Sequence, residues 1–166
     1  MNPRLRTAAI AGAVVVIDRI TKMFIQSTFS QRDMVTVIPG FFNIVHTENP
    51  GAAFGMFSDS TSVWRSFFLI AVSVAVMAVI AVMLWRPRPG GVKATGFVPV
   101  GLALVFGGAL GNVWDRVFRG AVTDFLQLFF GAYEFPSFNV ADSAITVGAA
   151  LLLIDLWRTR NAHSLE

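Results

Sequence analysis

The sequence predicts a mainly α integral membrane protein, a bundle of four spanning helices with a small β-rich segment at one membrane face. Three observations carry this expectation. The chain is 55% hydrophobic and only 14% charged, against roughly 25% charged residues in soluble domains, and its mean hydropathy is +0.65. Apolar stretches at about residues 7–27, 66–85, 94–114 and 138–157 each approach the roughly 20 residues that cross a bilayer as a helix. The four tryptophans, Trp64, Trp85, Trp114 and Trp157, fall at the ends of those stretches, as an interfacial aromatic belt requires. At 166 residues, the whole chain reads as one membrane-embedded domain.

The first stretch follows Arg4 and Arg6. Taken alone it has the basic start and short apolar core of a signal peptide. A retained helix over 7–27 fits better, because Asp18 and Lys22 stand four residues apart as an ion pair in its outer part. Residues 28–62 are mixed. Met34–Ile38 alternates like a strand, Pro39-Gly40 is a turn, and Phe41–Thr47 reads as a second strand. In Glu48-Asn-Pro-Gly-Ala-Ala-Phe54, Asn49 and Gly51 mark a turn with small residues that admit a close backbone. An extended peptide would use such a loop, and so would an ordinary surface turn.

Residues 66–85 form the most uniformly apolar span and read as scaffold. A basic loop, Arg86-Pro-Arg-Pro-Gly-Gly-Val-Lys93, leads to the third span, where Gly101, Gly107 and Gly111 give a small-residue face for tight helix packing. Asn112, Asp115 and Arg116 close that span on one helical face. Residues 117–137 are mixed again, with a hairpin or interfacial loop near Phe129–Phe135. The fourth span opens with Asn139 and Asp142 and ends at Arg158 and Arg160.

Four spans put both termini on one side. That side holds Arg4, Arg6, Arg86, Arg88, Lys93, Arg158 and Arg160, whereas Arg32, Arg65, Arg116 and Arg119 are spread over longer loops opposite. The asymmetry places both termini in the cytoplasm. Asp18, residues 28–62, Asp115, Asp124 and Asp142 then gather toward the outer face. The net charge of +3 comes without a long basic cluster, so it argues for this bias and against nucleic-acid binding. There is no cysteine and only His46 and His163, which leaves no thiol nucleophile, no disulfide and no histidine-based metal site. No cofactor is expected.

Ionisable side chains at membrane depth default to a functional reading. Two carboxylates in a low-dielectric site cannot both ionise, so one keeps a proton at neutral pH. The ionised one takes a proton from water and the other donates to a carbonyl. Asp124 and Asp142 are the candidate pair; the helix start at Asn139 and Asp142 favours an anion there. Each also fits a plainer role alone, a helix cap for Asp142 and a loop position for Asp124.

At these residues the chain resembles the bacterial lipoprotein signal peptidase (signal peptidase II) family. The resemblance covers nearly the whole chain through five ordered motifs: Asp18-Arg-Ile-Thr-Lys22, Asn49-Pro-Gly-Ala-Ala-Phe54, Gly107-Gly-Ala-Leu-Gly-Asn-Val-Trp-Asp-Arg116, Val122-Thr-Asp-Phe125, and Phe138-Asn-Val-Ala-Asp-Ser-Ala-Ile-Thr-Val-Gly148. No motif position departs from the family pattern. It implies four transmembrane helices with an extracytoplasmic β-rich cradle. It also implies an inner-membrane aspartic endopeptidase, acting as a monomer on prolipoproteins and cutting before the diacylglyceryl-cysteine. The catalytic pair maps to Asp124 and Asp142, the polar support to Asn49, Gly51, Asn112, Arg116 and Asn139, and the first-helix pair to Asp18 and Lys22. Membrane lipid and a globomycin-like inhibitor are the other implied partners.

Three other readings compete. A proton-coupled transporter also uses acidic residues in spans, but its sites lie near the midplane rather than at one interface. A non-catalytic scaffold would tolerate loss of both aspartates. A Ser–Lys peptidase would need Lys22, which has Asp18 beside it, or Lys93, on the cytoplasmic side.

Overall fold

The computed structural model describes residues 2–51, 63–85 and 97–163. Their elements are α1 (Pro3–Thr28), β1 (Met34–Ile38), β2 (Phe42–Asn49), α2 (Val63–Trp85), α3 (Phe97–Arg119), β3 (Val122–Phe130), β4 (Tyr133–Phe138) and α4 (Val140–His163). The molecule is therefore mainly helical with a small antiparallel sheet. Three described helices are long and apolar enough to cross a membrane, over Ser66–Leu84, Phe97–Arg119 and Val140–Asn161.

The core forms around α3, which packs against α1, α2 and α4. Its glycines permit this. A Cβ on Gly101 would meet Gly148 O at 2.9 Å, and one on Gly148 would meet Gly101 O at 2.7 Å, so α3 and α4 touch backbone to backbone. On another side, a Cβ on Gly107 would lie 2.7 Å from Ala11 O of α1. In lipid, where water drives no apolar association, such close backbone contact is the main source of helix–helix attraction.

In α1 the usual polarity of a surface helix is reversed. Its buried face is Thr7, Val14, Asp18, Lys22 and Ile25, spaced seven, four, four and three residues apart. Asp18 and Lys22 are 0% exposed, whereas Val16, Ile20 and Phe24 are 55–62% exposed. The helix starts earlier than position 7 because Asn2 caps it, accepting from Arg4 N at 3.0 Å, with Pro3 in the first turn.

The third helix also outruns its apolar stretch. It begins at Phe97 among the described residues and continues past 114 to Arg119. Asp115 and Arg116 stay helical because their side chains turn inward. Gly120, at φ 78°, stops the helix and donates to Arg116 O at 3.2 Å, a left-handed glycine terminus. Likewise α4 runs to His163 rather than 157.

The sheet order is β1-β2-β3-β4, all antiparallel. Gly40 and Gly131, at φ 71° and 64°, make the turns of its two hairpins. The second strand reaches Asn49 because Thr47, Glu48 and Asn49 pair with Asp124, Thr123 and Val122. Val122, Thr123, Asp124 and Phe125 are buried on both faces of β3, so the strand that follows α3 enters the core before it emerges at its hairpin. Residues 52–62, with Ala52, Ala53 and Phe54 of the Asn-Pro-Gly loop, and residues 86–96 lie outside the described set.

Candidate active site

Asp124 does not sit in a loop, as its sequence context implied. It is the third residue of β3, and pairing with Thr47 fixes it in a strand. Its carboxylate is 2% exposed and accepts from Asn139 Nδ2 at 2.7 Å and from Asn49 Nδ2 at 3.0 Å. Asn49 is oriented by a local turn, because its Oδ1 accepts from the buried Gly51 N at 2.9 Å. Gly51, at φ 119°, adopts a backbone geometry that a side chain would strain.

Asp142 lies in the first turn of α4. Asn139 caps that helix, accepting from Asp142 N at 3.0 Å, and Asp142 Oδ2 accepts from Asn139 N at 3.2 Å. This reciprocal pair is a capping box with aspartate in the third position. Asp142 Oδ1 accepts from Asn112 Nδ2 at 2.7 Å. Asn139 thus joins the two carboxylates: its amide nitrogen holds Asp124 while its amide oxygen holds the backbone of Asp142. The cap expected of Asp142 is present, and it also aims the second Asp142 oxygen toward Asn112.

Burial and charge together act on Asp124. Burial pushes the Asp124 carboxyl up to about 7, and the negative charge of Asp142 adds to the shift. The hydrogen bonds from Asn49 and Asn139 and the charge of Lys22 oppose it. Near neutrality Asp124 is therefore poised to hold or release a proton.

Both aspartates line a cavity of about 540 Å³, together with Asn49 and Arg116. Its other walls are Leu128, Phe130, Phe135, Pro136, Ser137 and Phe138 of the β3–β4 hairpin, with Ser143, Thr146 and Val147 of α4. Its lining is polar at Asn49, Arg116, Asp124 and Asp142 and apolar at Leu128, Phe130, Phe135 and Phe138. Arg116 donates to Asn112 O at 3.4 Å, and its buried Nε–H finds no acceptor among the described residues.

Behind Asn112 lies a charge cluster in which Asp18, Lys22 and Asp115 are completely buried. Lys22 Nζ is 2.9 Å from Asp18 Oδ2, 2.8 Å from Asp115 Oδ2 and 3.0 Å from Asn112 Oδ1. Arg19 pairs with the other oxygen of Asp115. Asp18 Oδ1 accepts from Ala141 N at 3.0 Å, which ties α1 to the start of α4. Gly111 leaves room for this, since a Cβ there would be 2.6 Å from Asp18 Oδ2. The site residues singled out in the sequence thus meet in one connected region.

A second polar group was not singled out. Gln26 Nε2 donates to Thr123 Oγ1 at 2.6 Å, Thr123 Oγ1 donates to Glu48 Oε1 at 3.1 Å, and His46 Nε2 lies 3.2 Å from the same oxygen. His46 Nδ1 lies 2.8 Å from Phe29 O. These contacts clamp β2 and β3 to the end of α1 directly behind Asp124. The available signal was spacing: Gln26 is one helical turn beyond Lys22 on the buried face of α1.

Comparison with known proteins follows the same residues. A family model described as signal peptidase (SPase) II matches residues 10–158. The lipoprotein signal peptidase of Solibacter usitatus is 46% identical over 157 residues, covering 95% of this chain and 93% of the relative. That of Geobacter metallireducens is 41% identical over 165 residues, covering 99% and 98%. A bacterial membrane enzyme solved by the in meso method superposes with a TM-score of 0.79 at 34% identity, covering 92% of this chain and 88% of that one.

Proposed function

The chain belongs to the signal peptidase II family, and on that premise we propose that it is a single-domain aspartic endopeptidase of the bacterial inner membrane. It removes the signal peptide from lipid-modified prolipoproteins, cutting before the diacylglyceryl-cysteine. The observation that carries this reading is the coupling of Asp124 and Asp142 through Asn139 at the polar lining of the cavity.

In the proposed mechanism Asp142 begins ionised and Asp124 protonated. Asp142 takes a proton from a water held between them as its oxygen attacks the carbonyl carbon. Asp124 gives its proton to the carbonyl oxygen. On collapse, Asp142 returns its proton to the leaving cysteine nitrogen, the C–N bond breaks, and a hydroxyl proton of the intermediate restores Asp124. The Arg116 guanidinium, on the cavity wall beside both aspartates, holds a peptide carbonyl of the substrate. The apolar lining of the cavity, on the hairpin, suits the acyl chains of the modified cysteine. Purified protein should cleave a diacylglyceryl-modified prolipoprotein to a product beginning at that cysteine, and globomycin should block it. Equal cleavage of the unlipidated precursor would refute the substrate assignment.

We place α1 across the membrane as the fourth span, with both termini cytoplasmic and the dyad toward the outer face. Its 26 residues extend about 39 Å, and its reversed polarity suits hydrocarbon surroundings. Single cysteines at Gln31 and Arg88 of this cysteine-free chain should label from opposite sides of the membrane. Labelling of both from one side would overturn the topology.

Arg116→Lys tests the clamp. A lysine has no planar fork to fill the same position, so kcat/KM should fall by roughly tenfold or more, the cost of a lost hydrogen bond from a charged donor. Wild-type kinetics in a folded Arg116→Lys protein would remove the arginine from substrate binding.

A further inference from the structure

We propose that Lys22 is the positioning residue of the pair: it locks the Asn112 amide with its N–H2 toward Asp142 and so gives Asp142 the ionised, proton-accepting role. This rests on the aspartic reading above.

The argument is one of donors and acceptors. An ammonium has three protons and no acceptor, and Lys22 meets three oxygens, on Asp18, Asp115 and Asn112, at 2.8–3.0 Å. Two of these contacts are ion pairs and the third is a hydrogen bond to Asn112, and together they hold a group that is completely buried. Arg19, on the far oxygen of Asp115, brings the cluster to two positive and two negative charges. The ammonium is therefore fixed, and an amide that faces it must present oxygen. The amide nitrogen then points the other way, where it meets Asp142 Oδ1 at 2.7 Å. Turning the amide over would set N–H2 against an ammonium and oxygen against a carboxylate, two repulsive contacts in a low-dielectric site. The ammonium also polarises the amide and strengthens its donation to the carboxylate at the end of the chain. Asp142 thus senses the charge of Lys22 through one intervening side chain, while facing Asp124 from β3 and Arg116 from α3 across the cavity.

The test compares Asp18→Asn/Lys22→Met, Asn112→Ala and their combination, with Asp142→Asn as reference. Replacing Asp18 and Lys22 together removes one charge of each sign, and an asparagine side chain at position 18 can still accept from Ala141 N. The pair variant should lose roughly 10- to 100-fold in kcat, the size expected for a hydrogen bond to a charged group, with little change in KM. Adding Asn112→Ala should cost less than about twofold more, since both act on one contact. Multiplying losses, or a loss carried by KM rather than kcat, would overturn the proposal. Should the pair variant fail to fold, Asn112→Asp keeps an acceptor for Lys22 and sets a carboxylate oxygen against Asp142 in place of the donor. Wild-type turnover by Asn112→Asp would overturn the proposal equally. Retained turnover by Asp142→Asn would instead sink the aspartic reading itself.

Discussion

Asp124→Asn and Asp142→Asn are each expected to lose turnover by roughly 10²- to 10⁴-fold, the range of general acid–base catalysis, with the double variant little worse than either single one. Asparagine keeps the size of each side chain but cannot exchange a proton with water or a carbonyl. Both variants should fold, since the amide introduced at either position still offers an oxygen to the surrounding donors. The stability of Asp124→Asn carries its own signature. The folded Asp124 carboxyl, at about 7, binds its proton more tightly than the unfolded group, whose ordinary value is 3.8. Its contribution therefore favours folding below about 3.8 and is lost as pH rises to about 7. The asparagine variant lacks that decline, so its unfolding midpoint should rise relative to wild type between pH 4 and 7. Turnover within a factor of a few of wild type by either folded variant would exclude the dyad.

Lys22→Met alone should be the most damaging change to the fold. It leaves Asp18 and Asp115, both 0% exposed, with Arg19 as the one remaining cation of their cluster. Removing one partner of a buried ion pair costs roughly 3–5 kcal/mol, and here two carboxylates lose it at once. The unfolding midpoint in detergent should fall sharply. Adding Asp18→Asn should recover much of the loss by removing the uncompensated charge. A midpoint unchanged by Lys22→Met would mean that the cluster contributes nothing to stability.

Much of this arrangement was legible in the sequence, for identifiable reasons. Uncharged stretches near twenty residues long mark helices whatever their packing, and Asp18, Lys22, Asn112, Asp115, Asp124 and Asp142 stood out because charge is scarce in such a chain. Asn139 and Asp142 read as a helix start because they open the last apolar run. Other features depend on contacts made at a distance. Asp124 looked like a loop residue because its end of strand β3 is fixed by pairing with β2, about 75 residues earlier in the chain. The third helix appeared to end at 114 because hydropathy cannot register that Asp115 turns inward to meet Lys22 and Arg19. The Gln26–Thr123–Glu48–His46 group was overlooked for the same reason: none of these residues is unusual alone, and their partners come from three different elements.

The central claim is that one proton is shared by two carboxylates and is needed for water to attack. The pH dependence of single-turnover cleavage of a diacylglyceryl-modified prolipoprotein, measured between pH 4 and 10, tests it most directly. The expected profile is a bell, both limbs belonging to the pair, with the rate falling on the alkaline side near pH 7 as Asp124 loses its proton. A rate that climbs steadily through pH 7 to a plateau at 9 or above, as a lysine-activated nucleophile would give, would contradict it.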